Sequence, residues 1–373
     1  MTWFIAGPRM LLTPRLLVLL MGIPVHLAAQ GLLPSETGAL PAVDAGNLAA
    51  LNVSIAVFDP GVPADRSLHR DLQVFPRIRE IEAMFLPFVL RETLANTNEW
   101  GAVRVVPQPD VAAELLVSGT IARSDGEILE LRIRAVDASG RVWLDEVFSA
   151  AVTANYSRRD NESGLQGNQQ LFDEIAVGLQ KARAQMNNKI LTNIVTISLL
   201  RYGHQIAPSV FGDYLVRAAD GTFTIHRLPA RNDPMLDRIK RIRGTEYVIT
   251  DTVDTKFQEL HSEIASIYDM WREYRRKVVE YQNESARWVQ NSRSGAPRGS
   301  FEAMKNLYDN YKFDRIATQE QDSLAVAFNN EVGPTVEAME ARVAELEDWV
   351  DKKYAEWHRL LKELFEVETR LKQ

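Results

Sequence analysis

Residues 114–149 alternate apolar and polar positions with the period of a half-buried β-strand. The apolar positions fall into three runs, which begin near Leu115, Ile128 and Val142. Two short polar segments that contain glycine separate these runs. Alternation between tight turns is the pattern of consecutive β-hairpins. The sequence therefore predicts three antiparallel strands with one face of their sheet in contact with solvent.

Two further strands and a helix are predicted upstream of these hairpins. Short apolar runs at 53–58 and 103–106 predict the strands. Between them, apolar residues at helical spacing predict a helix from Pro76 to about Asn96, which Pro87 should kink or split. This β-α-β order, followed by three more strands, predicts a mixed sheet with helices on one face.

Downstream of the hairpins the pattern changes to helical spacing. We predict one helix from about 169 to 198 and a small β-hairpin within 209–230. Asp233 followed by Pro234 has the residue types of a helix N-cap and first helical position. The run 246–250 is rich in β-branched and aromatic residues and predicts one more short strand.

From about residue 255 onward the apolar positions follow a heptad pattern. Its rows contain Phe257, Ile264 and Trp271, and near the C-terminus Val343, Val350, Trp357 and Leu364. A second row contains Leu260, Ile267 and Tyr274, and near the C-terminus Met339, Leu346, Leu360 and Val367. The two rows are spaced three and four residues apart, which is typical of a coiled-coil seam. Short breaks between long helices predict antiparallel neighbours, hence a helical hairpin or a three-helix bundle, with a middle helix at about 300–330. An ordinary bundle core is an equal alternative, because a seam does not show whether its partner belongs to the same chain.

The N-terminal 29 residues have the pattern of a secretory signal peptide. Arg9 and Arg15 supply positive charge, a short apolar core follows, and Leu27-Ala28-Ala29 offers a cleavage site. The apolar core is shorter than the roughly 20 residues that a membrane-spanning helix needs. We therefore expect cleavage, with an uncleaved anchor as the alternative.

Together these patterns predict an α+β fold in six segments. They are a signal peptide at 1–29, a flexible leader at 30–51, a mixed-sheet α/β domain at 52–151, a linker at 152–168, a helix with a small α/β element at 169–254, and a helical coiled-coil or bundle region at 255–373.

Composition restricts the function. The chain of 373 residues has a formal net charge of -7, whereas general nucleic-acid binders are normally basic. It has no cysteine, which excludes disulfides, zinc-thiolate sites and cysteine nucleophiles. A chain without thiols also suits an oxidising compartment such as the bacterial periplasm.

Motifs for catalysis are not found in the sequence. The six histidines are far apart, so no helical metal pair forms, and neither a phosphate-binding glycine loop nor a nucleophile elbow occurs. Asp59 follows the first strand, where some α/β proteins place catalytic groups, but we favour a turn residue before Pro60-Gly61. We predict no catalytic, cofactor or metal site.

One basic cluster stands out in this acidic chain. Residues 227–243 contain six basic and two acidic residues, a net charge of +4. One interpretation is contact with an anionic partner. The candidate residues for that contact are Arg231, Arg238, Lys240, Arg241 and Arg243. The alternative, which we favour, is a helix face whose arginines pair with acidic residues of the helical region.

Five elements between residues 52 and 151 follow the order of a known domain. They are the strand VSIAVFDP, the helix near 77–96, the segment WGAVRVVPQPDVAAE, and the closing LLVSGTI and LRIRAVDASGRVWLDEVF. This order resembles the TolB N-terminal-domain-like fold, which also occurs in CsgG-type curli-secretion lipoproteins and in lipoprotein activators of penicillin-binding proteins. The chain lacks the lipidation cysteine of most of these proteins, and no propeller repeats follow the domain.

The resemblance implies a non-enzymatic binding or assembly module of the bacterial cell envelope. We expect a periplasmic or secreted protein, associated with the outer membrane or not, whose partners are envelope proteins or further copies of itself. The alternatives are an activator of a cell-wall synthase and a ring-forming component of an export machine. We expect no nucleic-acid partner and no integral membrane span after signal removal.

Overall fold

Five strands form one mixed sheet in the computed structural model, which describes residues 50–71, 74–151, 166–230, 232–292 and 333–370. The strands are β1 (Val53–Ala56), β2 (Val103–Val106), β3 (Leu115–Ser124), β4 (Ile128–Asp137) and β5 (Val142–Ala151). Their order is β2-β1-β3-β4-β5. β1 is parallel to β2 and β3, and β3, β4 and β5 are antiparallel. The predicted α+β class and mixed sheet are confirmed.

Helices make up most of the remaining described structure. They are α1 (Leu68–Asp71), α2 (Pro76–Asn96), α3 (Gln166–Ala184), α4 (Asn188–Ile206), α5 (Pro208–Phe211), α6 (Pro234–Ser292) and α7 (Gly333–Arg370). A two-stranded antiparallel hairpin, β6 (Leu215–Arg217) and β7 (Phe223–Ile225), lies between α5 and α6. None of the helices among the described residues combines the length and the hydrophobicity that crossing a lipid bilayer requires.

The alternation along β3 and β4 separates a buried face of the sheet from an open one. Val117 and Ile121 of β3 and Leu131 and Ile133 of β4 are fully buried in the core shared with α2 and α3. Arg132, like Arg134 beside it, points to the opposite, exposed face. The period of two along a strand produces this division.

The first helical region differs from the prediction at its middle. One helix was predicted over 169–198, but α3 ends at Ala184 and α4 begins at Asn188. The side chain of Asn187 accepts a hydrogen bond from the backbone N–H of Ile190 at 2.9 Å. Asparagine is among the strongest N-caps, so a new helix start competes with continuation of the old one. Pro87, in contrast, does not split α2.

The strand predicted at 246–250 is wrong, because these residues lie within α6. Buried positions before, within and after this run recur every three or four residues, among them Ile242, Glu246, Thr250 and Val253. Packing of that helical face outweighs the β-propensity of the short run. Thr250 donates its hydroxyl proton to the Glu246 carbonyl at 2.9 Å, a bond that only the helix allows.

Helices α6 and α7 pack antiparallel. Arg241 near the start of α6 pairs with Glu368 near the end of α7 at 2.9 Å, and Glu263 farther along α6 pairs with Arg342 near the start of α7 at 3.3 Å. The seam residues Phe257, Ile264 and Trp271 are buried in the same core as the sheet and α2. The partners of these three seam residues therefore belong to the same chain, and the described residues all lie in one compact unit.

The predicted seam of α7 changes position in its second half. Val343 and Val350 are buried and Trp357 is half-buried, but Leu364 is 39% exposed. Leu361 and Phe365 are buried instead. An α-helix has 3.6 residues per turn, so a strict heptad row drifts around it unless the helix supercoils. Leu364 therefore does not pack in the seam that α7 forms within this chain.

Several predicted segments lie outside the described residues. They are the signal peptide at 1–29, nearly all of the leader at 30–51, most of the linker at 152–168, and the middle helix at about 300–330.

Candidate binding groove

The basic cluster of α6 makes its contacts within the chain. The guanidinium of Arg243 is buried, donates to Asp110 and to Glu246 at 3.1 Å each, and lies over the ring of Tyr202 at 4.4 Å. Asp110 belongs to the loop between β2 and β3, so this pair attaches α6 to the sheet. These contacts fix the Arg243 side chain on both sides within the chain.

Arg238, also buried, attaches α6 to α7. Its guanidinium donates to the hydroxyl of Thr369 at 2.9 Å and lies 3.6 Å from Glu368. Lys240 pairs with Asp237 of its own helix at 3.6 Å, and Arg241 pairs with Glu368. Arg231 lies outside the described residues. The geometry therefore favours internal pairing of the cluster over a surface for an anionic partner.

A second charged cluster, centred on Glu82, is completely buried. Glu82 Oε1 accepts hydrogen bonds from Ser124 at 2.6 Å and Tyr268 at 2.8 Å, and lies 3.6 Å from Arg272. Its other oxygen has no hydrogen-bond partner among the described residues. Burial raises the pKa of the Glu82 carboxyl, although Arg272 and the two hydroxyls oppose that rise. The cluster joins α2, the end of β3 and α6, and the Glu82 side chain is fully buried.

The β3–β4 turn contacts α6 through a glycine. Gly126 has a φ of +98°, and a Cβ added there would lie 2.5 Å from Cβ of Arg275. Only glycine satisfies both the left-handed backbone and the close approach. The turn residues Ser124-Asp125-Gly126 that the sequence marked as a hairpin therefore also hold α6 against the sheet.

A third group of buried carboxylates surrounds a cavity of about 20 Å³. Glu114 accepts from the backbone N–H of Asn52 at 2.7 Å and from its side chain at 3.1 Å, and Glu246 lies across the cavity. Burial raises the pKa of both carboxyls. The cavity has room for about one water molecule.

A groove of about 960 Å³ opens between α4 and the β6–β7 hairpin. The residues that line it come from α4, from the β4–β5 turn and from the segment 220–228: Ser139, Arg141, Ile190, Asn193, Ile194, Ile197, Asp220, Thr222, Phe223, Thr224, Ile225, His226, Arg227 and Leu228. Its volume is in the range of ligand-binding clefts. We call it the α4–β7 groove.

The hairpin is held beside α4 by contacts around Phe223. The Phe223 backbone N–H donates to the Ser139 carbonyl at 2.7 Å. Arg201 of α4 lies over the Phe223 ring at 4.4 Å and donates to the Ala138 carbonyl at 2.8 Å. These contacts tie the hairpin, α4 and the β4–β5 turn together, so the walls of the groove are fixed by the fold.

The groove has an apolar floor and a basic rim. Its isoleucines and Phe223 supply the floor, and Leu228 is 67% exposed at its edge. Arg141, His226 and Arg227 are exposed on the rim. The one carboxylate of the lining, Asp220, accepts from the backbone and hydroxyl of Thr222 at 2.9 and 2.7 Å, which lower its pKa.

The described residues contain no group of three His, Asp or Glu side chains placed to hold a metal ion. Arg227 of the basic cluster at 227–243 lines the α4–β7 groove, but none of the candidate contact residues named from the sequence does. The hairpin that forms one wall was predicted, but the start of α4 at Asn188, which sets the other wall, was not. The sequence signal that could have indicated it is the Asn187 N-cap.

Comparisons with known proteins give no match: no family model fits the chain, and neither the curated proteins nor the solved structures include a similar one.

Proposed function

We propose that this protein is a non-catalytic binding module of the bacterial cell envelope that holds a partner protein in the α4–β7 groove. The observation that carries the proposal is the groove itself, an open apolar cleft of about 960 Å³ with a basic rim. Exposed apolar surface of this kind costs solubility, and in soluble proteins it usually marks an interaction site.

The buried ionisable groups support binding over catalysis. A catalytic carboxyl with a raised pKa normally lies in a cleft that substrate can enter. In this chain Glu82 is fully buried in the core, and Glu114 and Glu246 line a cavity with room for about one water molecule. The α4–β7 groove has room for a ligand, and the one carboxylate that lines it is that of Asp220. This carboxylate already accepts a hydrogen bond from the backbone N–H of Thr222 in the same turn.

The envelope location rests on the sequence. The signal-like residues 1–29, the absence of cysteine and the TolB N-terminal-domain-like order of residues 52–151 all support a periplasmic or secreted protein. A β-α-β unit followed by antiparallel strands is compatible with that resemblance. Association with the outer membrane would then come through the partner.

The absence of cysteine allows a site-specific test. The variant Leu228→Cys would carry a photoreactive maleimide in the groove, and Val248→Cys, on α6 outside it, is a matched control because Leu228 and Val248 are 67% and 66% exposed. After irradiation with the envelope fraction of the source organism, we expect one discrete protein adduct from position 228 and none from position 248. Mass spectrometry identifies the captured protein.

A second step separates specific binding from chance capture. The captured protein, purified, should bind the unlabelled chain. A bulky maleimide attached at position 228 should weaken that binding by about tenfold or more, while the same label at position 248 leaves it unchanged. Equal adducts from the two positions, or binding that is insensitive to the label at position 228, would show that the groove is not the partner site.

A further inference from the structure

We propose that the α4–β7 groove takes an extended segment of the partner in which acidic and aliphatic residues alternate, and that this segment pairs with the free edge of β7. This inference rests on the proposed function and specifies the chemistry of the ligand. It is carried by three features of the groove: an open strand edge, an apolar floor and a basic rim.

The strand edge follows from the pairing of the hairpin. His226 donates its N–H to the Tyr214 carbonyl at 2.9 Å, and Ala218 donates to the Thr222 carbonyl at 2.8 Å. In an antiparallel pair the bonded positions alternate, so the backbone groups of Phe223 and Ile225 point away from β6.

Ile225 has no backbone hydrogen-bond partner on that outer edge among the described residues. The N–H of Phe223, by contrast, is already used by Ser139. Because Ser139 and Ile225 both line the groove, the open edge of β7 borders the space in which a ligand would lie. An added strand would satisfy Ile225 in the way that peptides extend the edge of a sheet.

The floor and the rim specify the side chains of the added strand. Successive residues of an extended peptide point to opposite sides, so alternate residues would face the groove floor and the solvent-exposed rim. Ile190, Ile194 and Ile197 offer aliphatic contacts on the floor. On the rim, Arg141 and Arg227 would attract carboxylates, and the carboxylate of Asp220 is held by Thr222.

The strand edge also distinguishes a peptide from other anionic amphiphiles. An anionic lipid would suit the apolar floor and the basic rim, but it has no backbone amides to pair with Ile225. A peptide uses all three features of the groove. Vesicles of anionic phospholipid therefore become a competing probe in the test.

The test measures fluorescence anisotropy of labelled peptides mixed with the full protein. We expect a short peptide of alternating Glu and Val to bind at least about tenfold more tightly than the matched Lys and Val peptide. Arg141→Glu and Arg227→Glu should each weaken the acidic peptide by about tenfold or more. Lys181→Glu, the same charge change at an exposed position of α3 outside the groove, should not.

A second set of peptides tests whether the ligand adds a strand through its backbone. N-methylation of the acidic peptide at alternate residues removes N–H donors and keeps the charges, and it should weaken binding in one of the two methylation registers and leave the other close to unchanged. Thermal unfolding of each variant checks that it is folded.

Three outcomes would overturn the inference: equal binding of the acidic and basic peptides, acidic-peptide binding unaffected by Arg141→Glu and Arg227→Glu, or displacement of the peptide by anionic vesicles with loss at neither methylation register. If position 228 still captures a partner while the acidic peptide fails to compete with it, the inference fails and the proposed function stands. If position 228 captures nothing and the peptide does not bind, both fail.

Discussion

Arg243 and Arg241 lie two positions apart on α6, and burial gives them different roles. The side chain of Arg243 is buried between Asp110 and Glu246, whereas that of Arg241 is exposed and reaches Glu368 from the surface. Removing one partner of a buried ion pair leaves uncompensated charge in the core, while an exposed pair is worth little because water and salt screen it. Neighbouring basic residues of α6 therefore do not form one continuous basic surface.

The two arginines give a direct stability comparison. We expect Arg243→Ala to lower the free energy of unfolding by about 3–5 kcal/mol. Arg241→Ala should lower it by about 0–1 kcal/mol. Urea unfolding of both variants measures the difference. Equal losses would mean that Arg243 does not hold α6 to the sheet.

Glu82 should give stability a pH dependence of defined sign. Burial raises the pKa of its carboxyl above the ordinary value of 4.5, so the folded protein binds the proton more tightly than the unfolded chain. The stabilisation from this group is therefore fully present below pH 4.5 and is lost as the pH rises through the folded-state pKa. Acidification from neutral pH towards about 5 should therefore recover part of this stabilisation.

Glu82→Gln imitates the protonated carboxyl and should remove this contribution. Its amide oxygen can keep the bonds from Ser124 and Tyr268, and its NH₂ group takes the place of the oxygen that lacks a partner among the described residues. We expect the free energy of unfolding of the variant to rise less than that of the natural protein when the pH falls from about 7 to about 5. Parallel pH profiles of the two proteins would contradict the assignment.

At the scale of the elements, α7 shows how a helix departs from its heptad row. Leu361 is 3% exposed in a core with Tyr202 and Ile239, whereas its neighbour Leu360 is 47% exposed. We expect Leu361→Ala to cost about 2–5 kcal/mol, as buried leucines do, and Leu360→Ala far less. Thermal or urea unfolding measures both. A larger loss from Leu360→Ala would contradict this assignment of the buried face of α7.

The elements that could be predicted from the sequence are those fixed by local patterns. Strict alternation and glycine turns define β3, β4 and β5, and Asp233 followed by Pro234 marks the start of α6, where Asp233 accepts from the Met235 N–H at 2.9 Å. The run 246–250 has strand-like composition, but the burial of one face of α6 makes it helical. Whether such a run forms a strand or a helix depends on its packing against residues distant in sequence, which a local pattern does not contain.

The candidate site was harder to predict from the sequence than the fold. The α4–β7 groove requires the helix start at Asn188, the hairpin and the β4–β5 turn to meet, and the bond from Phe223 to Ser139 joins residues that are far apart along the chain. The basic cluster was visible in the sequence because its members are neighbours along the chain. Their pairing with Asp110, Glu368 and Thr369 could not be read from that proximity.

At the scale of the whole molecule, the long helices are part of the α/β core. Tyr268 of α6 bonds to Glu82 of α2, Asp254 of α6 accepts from the Val105 N–H of the edge strand β2 at 2.8 Å, and Gly126 lies against Arg275. The residues that looked like an oligomerisation seam and an anionic-partner surface are largely used inside the chain. In the described part of the chain, the α4–β7 groove remains open, and it has the size and the chemistry of a binding site.

Hydrogen exchange along the whole chain tests this claim most directly. Exchange would be compared for the protein alone and with the purified partner captured at position 228. We expect slower exchange in the groove lining, residues 139–141, 190–197 and 220–228, with the remaining described residues unchanged. Protection of the edge strand β5 or of the surfaces of α6 and α7, with unchanged exchange in the groove walls, would contradict it.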